Sequence, residues 1–317
     1  MNLLKSGISH SRAFAPATSA NLAVGFDILG LALANVGDCV TLIPRNDKQI
    51  IIEQITAIDG IPLDPNKNTA SFALQKACLD LRIDCGFSIT IDKGIALGSG
   101  MGGSAASAVA AIVALNGLLQ TPLTKEQIVQ YAMYGEELAS GAMHADNVAP
   151  CVFGGITLIR SINPLDIIVL PYPKLCCVII HPQLQIETRA ARKLLSPHVP
   201  MQTYVAQSAH LAATICAFYQ KDTELLKRSM QDLIIEPQRA ALVPGFYAVK
   251  NAALAAGAIR ATYSGSGPSI LALTSSKDHA KLVSNAMLSE FVKLGIIADS
   301  YIAPINPQGA HLIPEEV

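Results

Sequence analysis

The stretch Gly98-Ser99-Gly100-Met101-Gly102-Gly103-Ser104 runs directly into Ala105-Ala106-Ser107-Ala108-Val109-Ala110-Ala111-Ile112-Val113-Ala114-Leu115. The second run is apolar nearly all round, which predicts a buried helix, because an amphipathic surface helix keeps a polar face. Glycines before a helix start let backbone amides approach an anion without an obstructing Cβ, and the helix dipole favours negative charge there. The pattern therefore predicts either a phosphate-binding loop or a glycine turn that lets the helix pack closely.

The letters Gly98-x-Gly100-x-x-Gly103 also fit the dinucleotide fingerprint, which would make the chain an oxidoreductase. That fold needs the glycine-opened helix to lead into a parallel strand, with an acidic residue about 20 positions on. Here Thr124-Lys125-Glu126-Gln127 fits a capping box and predicts a second helix to about residue 139, with no strand before Pro150. The context disfavours the oxidoreductase. No P-loop, H-R-D or D-F-G string occurs, which excludes P-loop NTPases and protein kinases.

Outward from the glycine run, periodicity predicts a mixture of strands and helices that are segregated along the chain, which is typical of the α+β class. Before the run we expect strands at 39–43, 49–55 and 87–92 and a helix capped by Asn68 that reaches about residue 83. After Pro150 we expect strands at 155–160, 167–170, 175–181, 258–263, 269–273 and 297–303, and helices near 187–195, 202–219, 223–233, 247–256 and 277–294. We place a domain boundary at Asn163-Pro164, which gives domains 1–163 and 164–317.

Composition is consistent with two domains and a thick core, since 51% of the 317 residues are hydrophobic and 15% are charged. The longest apolar stretch, 105–119, is interrupted by polar residues and is shorter than the roughly 20 residues of a membrane span. Residues 1–7 contain neither an apolar export core nor a cleavage site, so we expect a cytoplasmic protein.

Net charge and cysteine content limit the classes of partner that we expect for this protein. The formal net charge is −1 and no long Lys/Arg run occurs, so neither nucleic acid nor an anionic membrane is an expected partner. The seven cysteines form no C-x-x-C pair, and we expect reduced, mostly buried thiols. A small-molecule partner is favoured.

Three separated segments resemble the three motifs of the GHMP kinase family of small-molecule kinases. They are Pro16-Ala17-Thr18-Ser19-Ala20-Asn21-Leu22-Ala23-Val24-Gly25-Phe26-Asp27, Leu97-Gly98-Ser99-Gly100-Met101-Gly102-Gly103-Ser104-Ala105-Ala106 and Ser264-Gly265-Ser266-Gly267-Pro268-Ser269. Residues 144–151, 236–239 and 244–246 resemble the branch of that family that acts on L-homoserine. The resemblance spans nearly the whole chain.

The resemblance implies an ATP- and Mg²⁺-dependent transfer of the γ-phosphoryl group to the side-chain hydroxyl of L-homoserine, a step towards threonine. It also implies a two-domain α+β fold whose N-terminal half is like ribosomal protein S5 domain 2 and whose C-terminal half is ferredoxin-like. A homodimer is compatible with it.

For the nucleotide, the resemblance implies that the glycine run wraps the ATP phosphates through Leu97, Gly98, Ser99, Gly100, Met101, Gly102, Gly103 and Ser104. Ser104 and Glu136 are then the Mg²⁺ ligands, with the neighbouring Glu137 as the alternative carboxylate; one hydroxyl and one carboxylate suit a hard cation that takes few protein ligands. Adenine contacts are expected within 66–69. Two departures from many relatives are Gly103 in place of Ser and Ala23-Val24 in place of Gly-Pro.

For the amino-acid substrate, the resemblance implies a carboxylate fork of Arg192 and Arg239, a residue type that pairs bidentately with carboxylate. Arg189 competes with Arg192 for that role. The expected ligands of the substrate ammonium are Asn21 and Asp27. The group expected at the reacting hydroxyl comprises His144, Asp146 and Asn147.

Several alternatives stay open from the sequence. Asp146 either orients the hydroxyl or acts as a base. The third motif is a turn near the site, a hairpin turn between two strands, or both. A kinase for mevalonate, shikimate or a sugar, and a non-catalytic nucleotide-binding relative, are the competing functions within the family.

Overall fold

A seven-stranded sheet organises the N-terminal part of the chain. The computed structural model describes residues 3–5 and 7–314; residues 1, 2 and 6, on which the expectation of no export signal partly rests, lie outside the described residues. The strands of this sheet are β1 (Ser11–Ala20), β2 (Leu29–Arg45), β3 (Ile50–Thr56), β4 (Gly86–Asp92), β5 (Ile156–Ile162), β6 (Leu165–Leu170) and, from the C-terminal end of the chain, β11 (His311–Leu312). Their order is β11-β1-β2-β4-β3, and β5 pairs with β2 and β6 with β5.

Four helices cover this sheet or flank the loop that enters it: α1 (Thr69–Asp80), α2 (Gly103–Leu118), α3 (Lys125–Ser140) and α4 (Val148–Phe153). Helix α2 lies against β1 and β2 and contacts α1 and α3. Its side chains from Ala105 to Leu115 are buried, so the prediction of a buried helix is confirmed. The glycine run therefore ends inside the molecule, at the first turn of its most enclosed helix.

Two predicted helix starts are confirmed by their caps. The Asn68 side chain accepts a hydrogen bond from the Ala70 amide at 3.0 Å. Thr124 and Gln127 form a complete capping box at the start of α3. Because α3 follows α2 directly and only β3 and β4 pair in parallel among the described strands, this is not the dinucleotide fold.

The C-terminal part is built on a four-stranded antiparallel sheet of β7 (Cys176–Pro182), β8 (Arg260–Tyr263), β9 (Ile270–Thr274) and β10 (Ala298–Pro304), in the order β10-β7-β9-β8. Its helices are α5 (Thr188–Lys193), α6 (Met201–Gln220), α7 (Thr223–Ser229), α8 (Ile235–Arg239), α9 (Phe246–Ala255) and α10 (Lys277–Lys293). The path β7-α9-β8-β9-α10-β10 with this strand order is the ferredoxin-like arrangement. The α+β class is thereby confirmed.

Strand β7 joins the two parts. Val178 and Ile180 pack into a core cluster with residues of α9 and α10, whereas Cys177 and Ile179 belong to the core cluster that contains the first sheet. Alternate residues of a strand point to opposite faces, so one strand serves both cores.

The division of the chain stays a proposal. The hairpin of β5 and β6 crosses the boundary at Asn163-Pro164, since Ile162 pairs with Leu165 and Leu158 with Ile168. Two strands of a hairpin share their backbone hydrogen bonds and belong to one sheet. The pairing therefore favours a division after Leu170.

No helix among residues 3–5 and 7–314 is long and apolar enough to cross a membrane, as the sequence predicted.

Candidate active site

A cavity of about 640 Å³ opens where the two parts of the chain meet. All of the predicted site residues except Met101 line it: Asn21, Asp27, Leu97, Gly98, Ser99, Gly100, Gly102, Gly103, Ser104, Glu136, His144, Asp146, Asn147, Arg192 and Arg239. The structure thus brings together side chains that lie up to 218 positions apart, from Asn21 to Arg239.

Met101 differs from its neighbours in the loop. Its side chain is buried in the core and its backbone amide donates a hydrogen bond to Ser99 Oγ at 3.3 Å. Its carbonyl accepts from the Thr18 amide at 3.0 Å. The predicted role of Met101 as a phosphate contact is therefore not supported by its position; it anchors the loop to the core and to β1.

At two positions of this loop, the backbone adopts a conformation that only glycine permits. Gly100 has φ +77°, and a Cβ there would lie 2.5 Å from the Ser264 carbonyl and 2.7 Å from the Gly267 carbonyl. Gly102 has φ +67°, and its Cβ would lie 2.0 Å from Thr18 Oγ1. Such a backbone conformation and such close approach both require the missing side chain.

The third motif forms one wall of this loop. Ser264 Oγ donates to the Gly100 carbonyl at 2.7 Å, and the Ser269 amide donates to the Ser99 carbonyl at 3.2 Å. The segment also connects β8 to β9 as a hairpin turn. Both alternatives left open by the sequence hold, because the turn that joins the strands is also the turn that braces the glycine run.

The first turn of α2 carries unused donors. Gly102 occupies the N-cap, where no side chain caps the helix. The backbone amides of Gly102, Gly103 and Ser104 donate to no described residue. Free amides at a helix start, aligned with the positive end of the helix dipole, form an anion site, and these amides belong to residues that line the cavity.

Beside these amides lies a pair of oxygen atoms. Ser104 Oγ donates to Glu136 Oε1 at 2.5 Å. Burial raises the pKa of Glu136, and the bond from Ser104 works against that rise. No cationic side chain among the described residues pairs with Glu136, whereas Glu137 is exposed and outside the cavity lining. The geometry favours Glu136 over Glu137 as a metal ligand.

The opposite end of the cavity is charged. Arg192 donates from both terminal nitrogens to the two carboxylate oxygens of Asp27, each at 2.8 Å. His144 Nδ1 lies 3.9 Å from Asp27 Oδ1, and its buried Nε2 has no partner among the described residues. Burial lowers the pKa of His144, although Asp27 opposes that shift. Arg189 lies at the exposed rim and donates to the Leu138 carbonyl at 3.1 Å.

The ring of Phe26 contacts two guanidinium groups. The guanidinium carbon of Arg192 is 5.1 Å from the ring centroid and that of Arg239 is 5.3 Å from it. Arg239 is only 2% exposed, and the one hydrogen bond of its guanidinium group to a described residue runs from Nε to the Ala191 carbonyl at 3.3 Å. Burial, together with the positive charge of Arg192, lowers the pKa of Arg239. A buried guanidinium without a carboxylate partner among the described residues is a strong site for an anionic ligand.

Between the two ends lie Asp146 and Asn147. Burial, reinforced by the negative charges of Asp27 and Glu136, raises the pKa of Asp146 to about 7. Thr18 Oγ1 donates to Asn147 Oδ1 at 2.8 Å, which fixes the amide so that its nitrogen is left for the cavity.

The comparisons with known proteins agree with this geometry. The family model described as GHMP kinases N terminal domain matches residues 67–155, and that of GHMP kinases C terminal matches residues 214–293. A homoserine kinase of Chlorobium phaeobacteroides is 42% identical over 314 residues, covering 95% of this chain and 98% of that protein. The chain belongs to the GHMP kinase family. A homoserine kinase of Xanthomonas campestris pv. campestris is 41% identical, with 97% of this chain and 95% of that protein covered.

Solved structures extend the likeness of this GHMP kinase to three dimensions. The crystal structure of homoserine kinase from Cytophaga hutchinsonii is 43% identical, covers 98% of this chain and 99% of its own, and has a TM-score of 0.93. The crystal structure of L. major mevalonate kinase in complex with R-mevalonate covers 96% of this chain and 99% of its own at 16% identity, with a TM-score of 0.73. The second likeness shows the shared fold alone. GHMP kinases use ATP as the phosphate donor.

A further part of the cavity lining comes from the segments on either side of Asn66 and from the end of β4. Residues 60–62 and 67–69, together with Ile91 and Ile95, form this part. Asn68 uses its oxygen to cap α1 and its nitrogen to bind the Pro62 carbonyl at 3.3 Å, and Asn66 is not part of the lining. Within the predicted 66–69 stretch, Lys67 and Thr69 remain as candidate adenine contacts of this GHMP kinase.

Sequence reasoning missed several contributors to the site. Phe26, Thr18 and Thr188 have roles that depend on partners far along the chain, and Thr188 Oγ1 lies 3.2 Å from Ser266 Oγ. Lys93 and Asp38 were also missed, although Lys93 directly follows the predicted strand 87–92 and Asp38 directly precedes the predicted strand 39–43, and a charged residue next to an apolar strand usually has a specific partner.

Proposed function

We propose that this GHMP kinase transfers the γ-phosphoryl group of ATP to the side-chain hydroxyl of L-homoserine and forms O-phospho-L-homoserine. One observation carries the proposal: free helix-start amides lie at one end of a cavity whose other end holds Asp27, Arg192 and Arg239. The first group suits a polyphosphate and the second suits an amino-acid zwitterion. The relatives named homoserine kinase support the same substrate.

The triphosphate of ATP binds along residues 98–104, where the amides of Gly102, Gly103 and Ser104 donate to phosphate oxygens. The base lies against Gly60, Ile61, Pro62 and Ile95, which supply apolar atoms to the lining. In phosphoryl transfer the protein contributes mainly by positioning the reactants and neutralising charge. A rigid row of amide hydrogen-bond donors therefore contributes directly to the rate.

We assign the metal to Ser104 and Glu136. Their oxygens lie 2.5 Å apart, and the buried carboxylate has no cation among the described residues to balance it. Hydroxyl and carboxylate oxygens are the hard ligands that Mg²⁺ takes from proteins. When bound, Mg²⁺ neutralises charge on the phosphates; the two side chains fix where that neutralisation occurs.

The acceptor end binds L-homoserine by its two charges. The α-carboxylate pairs with Arg192 and Arg239, and the α-ammonium pairs with Asp27. Arg192 and Asp27 are paired with each other without substrate, so the zwitterion enters by exchange: its carboxylate takes the place of Asp27 on Arg192, and its ammonium that of Arg192 on Asp27. Each charge keeps an opposite partner throughout, which avoids leaving a partly buried charge unpaired.

The role of Asn21 follows from its contacts. Its Nδ2 donates to the Gly265 carbonyl at 2.9 Å and its Oδ1 accepts from the Asp27 amide at 3.0 Å. Asn21 thus fixes the backbone of Asp27 as well as lining the pocket. We propose that it aims Asp27 at the ammonium.

In the transfer, the hydroxyl oxygen of homoserine attacks the γ-phosphorus, the bond from that phosphorus to the β,γ-bridging oxygen breaks, and ADP leaves. His144, Asp146 and Asn147 lie where they orient the hydroxyl. Its proton passes either to Asp146 or to an oxygen of the transferring phosphoryl group. The pKa of Asp146, raised to about 7, suits a base near neutral pH, and its burial equally suits a neutral hydrogen-bond donor.

One assay tests the function. Purified protein with ATP and Mg²⁺ is given homoserine, serine, mevalonate, shikimate or galactose, and ADP release is measured. We expect release with homoserine alone, and ³¹P NMR of the product as a phosphomonoester. Release with mevalonate or a sugar would assign another small alcohol, which the paired arginines do not favour. A flat response with intact ATP binding would indicate a non-catalytic nucleotide-binding protein.

Two further expectations go with this proposal. The seven cysteines are all free thiols, which agrees with action in the cytoplasm. A homodimer stays a prediction, and light scattering of the purified protein tests it.

A further inference from the structure

A buried ion pair lies directly beneath the start of α2. Lys93, just after β4, binds Asp38 Oδ2 in the middle of β2, and their side chains are 4% and 0% exposed. Burying two charges costs several kcal/mol per ion, and well-packed apolar side chains in their place are often neutral or stabilising. Fold stability alone therefore gives no reason for charges at this position.

The remaining contacts of Lys93 point to the loop. Its Nζ donates to the Gly103 carbonyl at 3.0 Å and to Ser107 Oγ at 3.0 Å. Ser107 Oγ donates in turn to Asp38 Oδ2 at 2.7 Å, and Asp38 Oδ1 accepts from the Gly94 amide at 3.0 Å. An ammonium group has three donors, so every one has a partner here. The network ties β2 and the end of β4 to the first turn of α2.

This turn is the one whose amides are free. Gly102 at the N-cap and Gly103 have no side chain with which to fix the helix start, and no side-chain cap holds it. Lys93, which itself lines the cavity, binds the Gly103 carbonyl and so sets the orientation of the peptide group between Gly103 and Ser104. The Ser104 amide belongs to that peptide group, and Gly103 and Ser104 both line the cavity, so the ion pair holds the backbone position from which these amides face a ligand.

We infer that Lys93, held in place by Asp38, is a positioning residue that aligns the first-turn amides of α2 with the phosphates of ATP. The inference rests on the proposed binding of ATP at this loop. Lys93 acts through Gly103, while homoserine is held by Asp27, Arg192 and Arg239. Loss of the ion pair therefore weakens ATP binding and leaves homoserine binding unchanged.

The test is the double variant Asp38→Asn/Lys93→Met, which removes both charges at nearly constant volume. We expect the KM for ATP and the Kd for Mg²⁺-ATP, measured by calorimetry, to rise roughly tenfold or more, since displaced positioning groups carry losses of about that size. The KM for homoserine should stay within about twofold. The matched control is Arg12→Met/Asp92→Asn, which removes an exposed pair 2.9 Å apart one residue from Lys93 and should change neither constant.

If the double variant unfolds below the assay temperature, the single variant Lys93→Arg provides a second test of the same inference. Lys93→Arg keeps the buried charge, but its longer side chain and planar fork direct the donors differently from the three donors of an ammonium, so the bonds to Asp38 and Gly103 are displaced. We expect it to fold and to raise the KM for ATP at least threefold.

The outcomes separate the inference from the function. A wild-type protein that binds Mg²⁺-ATP but does not phosphorylate homoserine would overturn the substrate proposal and leave the loop test valid by calorimetry. A folded double variant with unchanged ATP affinity, or a rise of both KM values together, would overturn the role of Lys93. An ATP affinity equal to that of wild type in Lys93→Arg would also overturn the role of Lys93.

Discussion

At the scale of single residues, the substrate end of the cavity depends on one aromatic ring. The guanidinium groups of Arg192 and Arg239 both lie over the Phe26 ring, with their central carbons 5.1 Å and 5.3 Å from its centroid. Each guanidinium gains a cation–π contact, that of Arg239 in a buried place and that of Arg192 in a partly exposed one. Arg239 is left with most of its donors unpaired among the described residues, and this is the feature that an incoming carboxylate relieves.

The first prediction follows from that unpaired guanidinium. We expect Arg239→Ala to raise the KM for homoserine about 10- to 100-fold, because a charge-assisted hydrogen bond contributes about 1.5–3 kcal/mol. The KM for ATP should stay nearly constant, and steady-state kinetics with each substrate varied measures both. Arg189→Ala, which removes an exposed arginine at the rim of the same cavity, is the control and should leave both values unchanged. Equal increases for the two substrates in Arg239→Ala would refute the carboxylate role.

The second prediction concerns Asp146 and pH. Its pKa in the native state is about 7, whereas an unfolded chain holds an aspartate near 4. The native state keeps a proton that the unfolded state releases, so the stabilising contribution of Asp146 is complete below about pH 4 and is lost as the pH rises to 7. Asparagine has the same shape and does not titrate.

Urea unfolding of wild type and Asp146→Asn at pH 4.5, 6 and 8 measures this effect. We expect the free energy of unfolding of the variant, relative to wild type, to increase steadily across that range. A difference that stays constant with pH would contradict the raised pKa. Activity of the same variant then separates the two roles: a base would cost roughly 100-fold or more in kcat, and an orienting residue less.

Much of the site could be predicted from the sequence, and what could not has a physical cause. Asn21, Asp27 and the glycine run lie in short motifs whose residues act together locally. The bidentate contact of Asp27 with Arg192 joins positions 165 residues apart, and no spacing in the sequence encodes it. The resemblance already favours Glu136 over Glu137, and the burial of Glu136 and the exposure of Glu137 support that preference.

At the scale of helices and strands, local signals decided which elements were predicted. Helices α1 and α3 have caps formed by their own neighbouring residues, and both were found. Strand β1, with the sequence Ser11-Arg12-Ala13-Phe14-Ala15-Pro16-Ala17-Thr18-Ser19-Ala20, was missed because its small residues and its proline have low β propensity; it forms by pairing with β2. Helix α4 was missed because it has six residues, one of them Pro150.

The third prediction belongs to the loop between β4 and α2. We expect Gly100→Ala to weaken Mg²⁺-ATP binding severely, because the new Cβ would lie 2.5 Å from the Ser264 carbonyl and must push the glycine run away from the third motif. Gly295→Ala is the matched control: Gly295 also has a positive φ, +69°, but nothing lies within 4 Å of a Cβ there. The control should lose a little stability and keep its ATP affinity, both measured by calorimetry. Equal ATP affinities in the two variants would contradict the brace formed by the third motif.

At the scale of the whole molecule, the two parts share a core as well as a cavity. One cluster of buried residues contains Leu31 and Leu42 of the first sheet together with Ile179 of β7, Phe218 of α6 and Leu226 of α7. Hydrophobic periodicity predicts helices and strands within each part, but it does not indicate which faces of the two parts pack together. That pairing is a property of the packed molecule, and it determines that the glycine run and the arginines face each other.

The last prediction follows from this shared core. Because neither part can expose its face of the cluster without losing buried apolar surface, we expect residues 3–314 to unfold as one cooperative unit. Differential scanning calorimetry should give a single transition whose calorimetric and van't Hoff enthalpies agree. Mg²⁺-ATP, for which we propose contacts mainly in the N-terminal part, should raise the temperature of the entire transition, since a ligand stabilises every part that unfolds with its site. Two transitions, with only the first shifted by the nucleotide, would mean that β7 joins two independent domains and that the cavity between them can open without unfolding either.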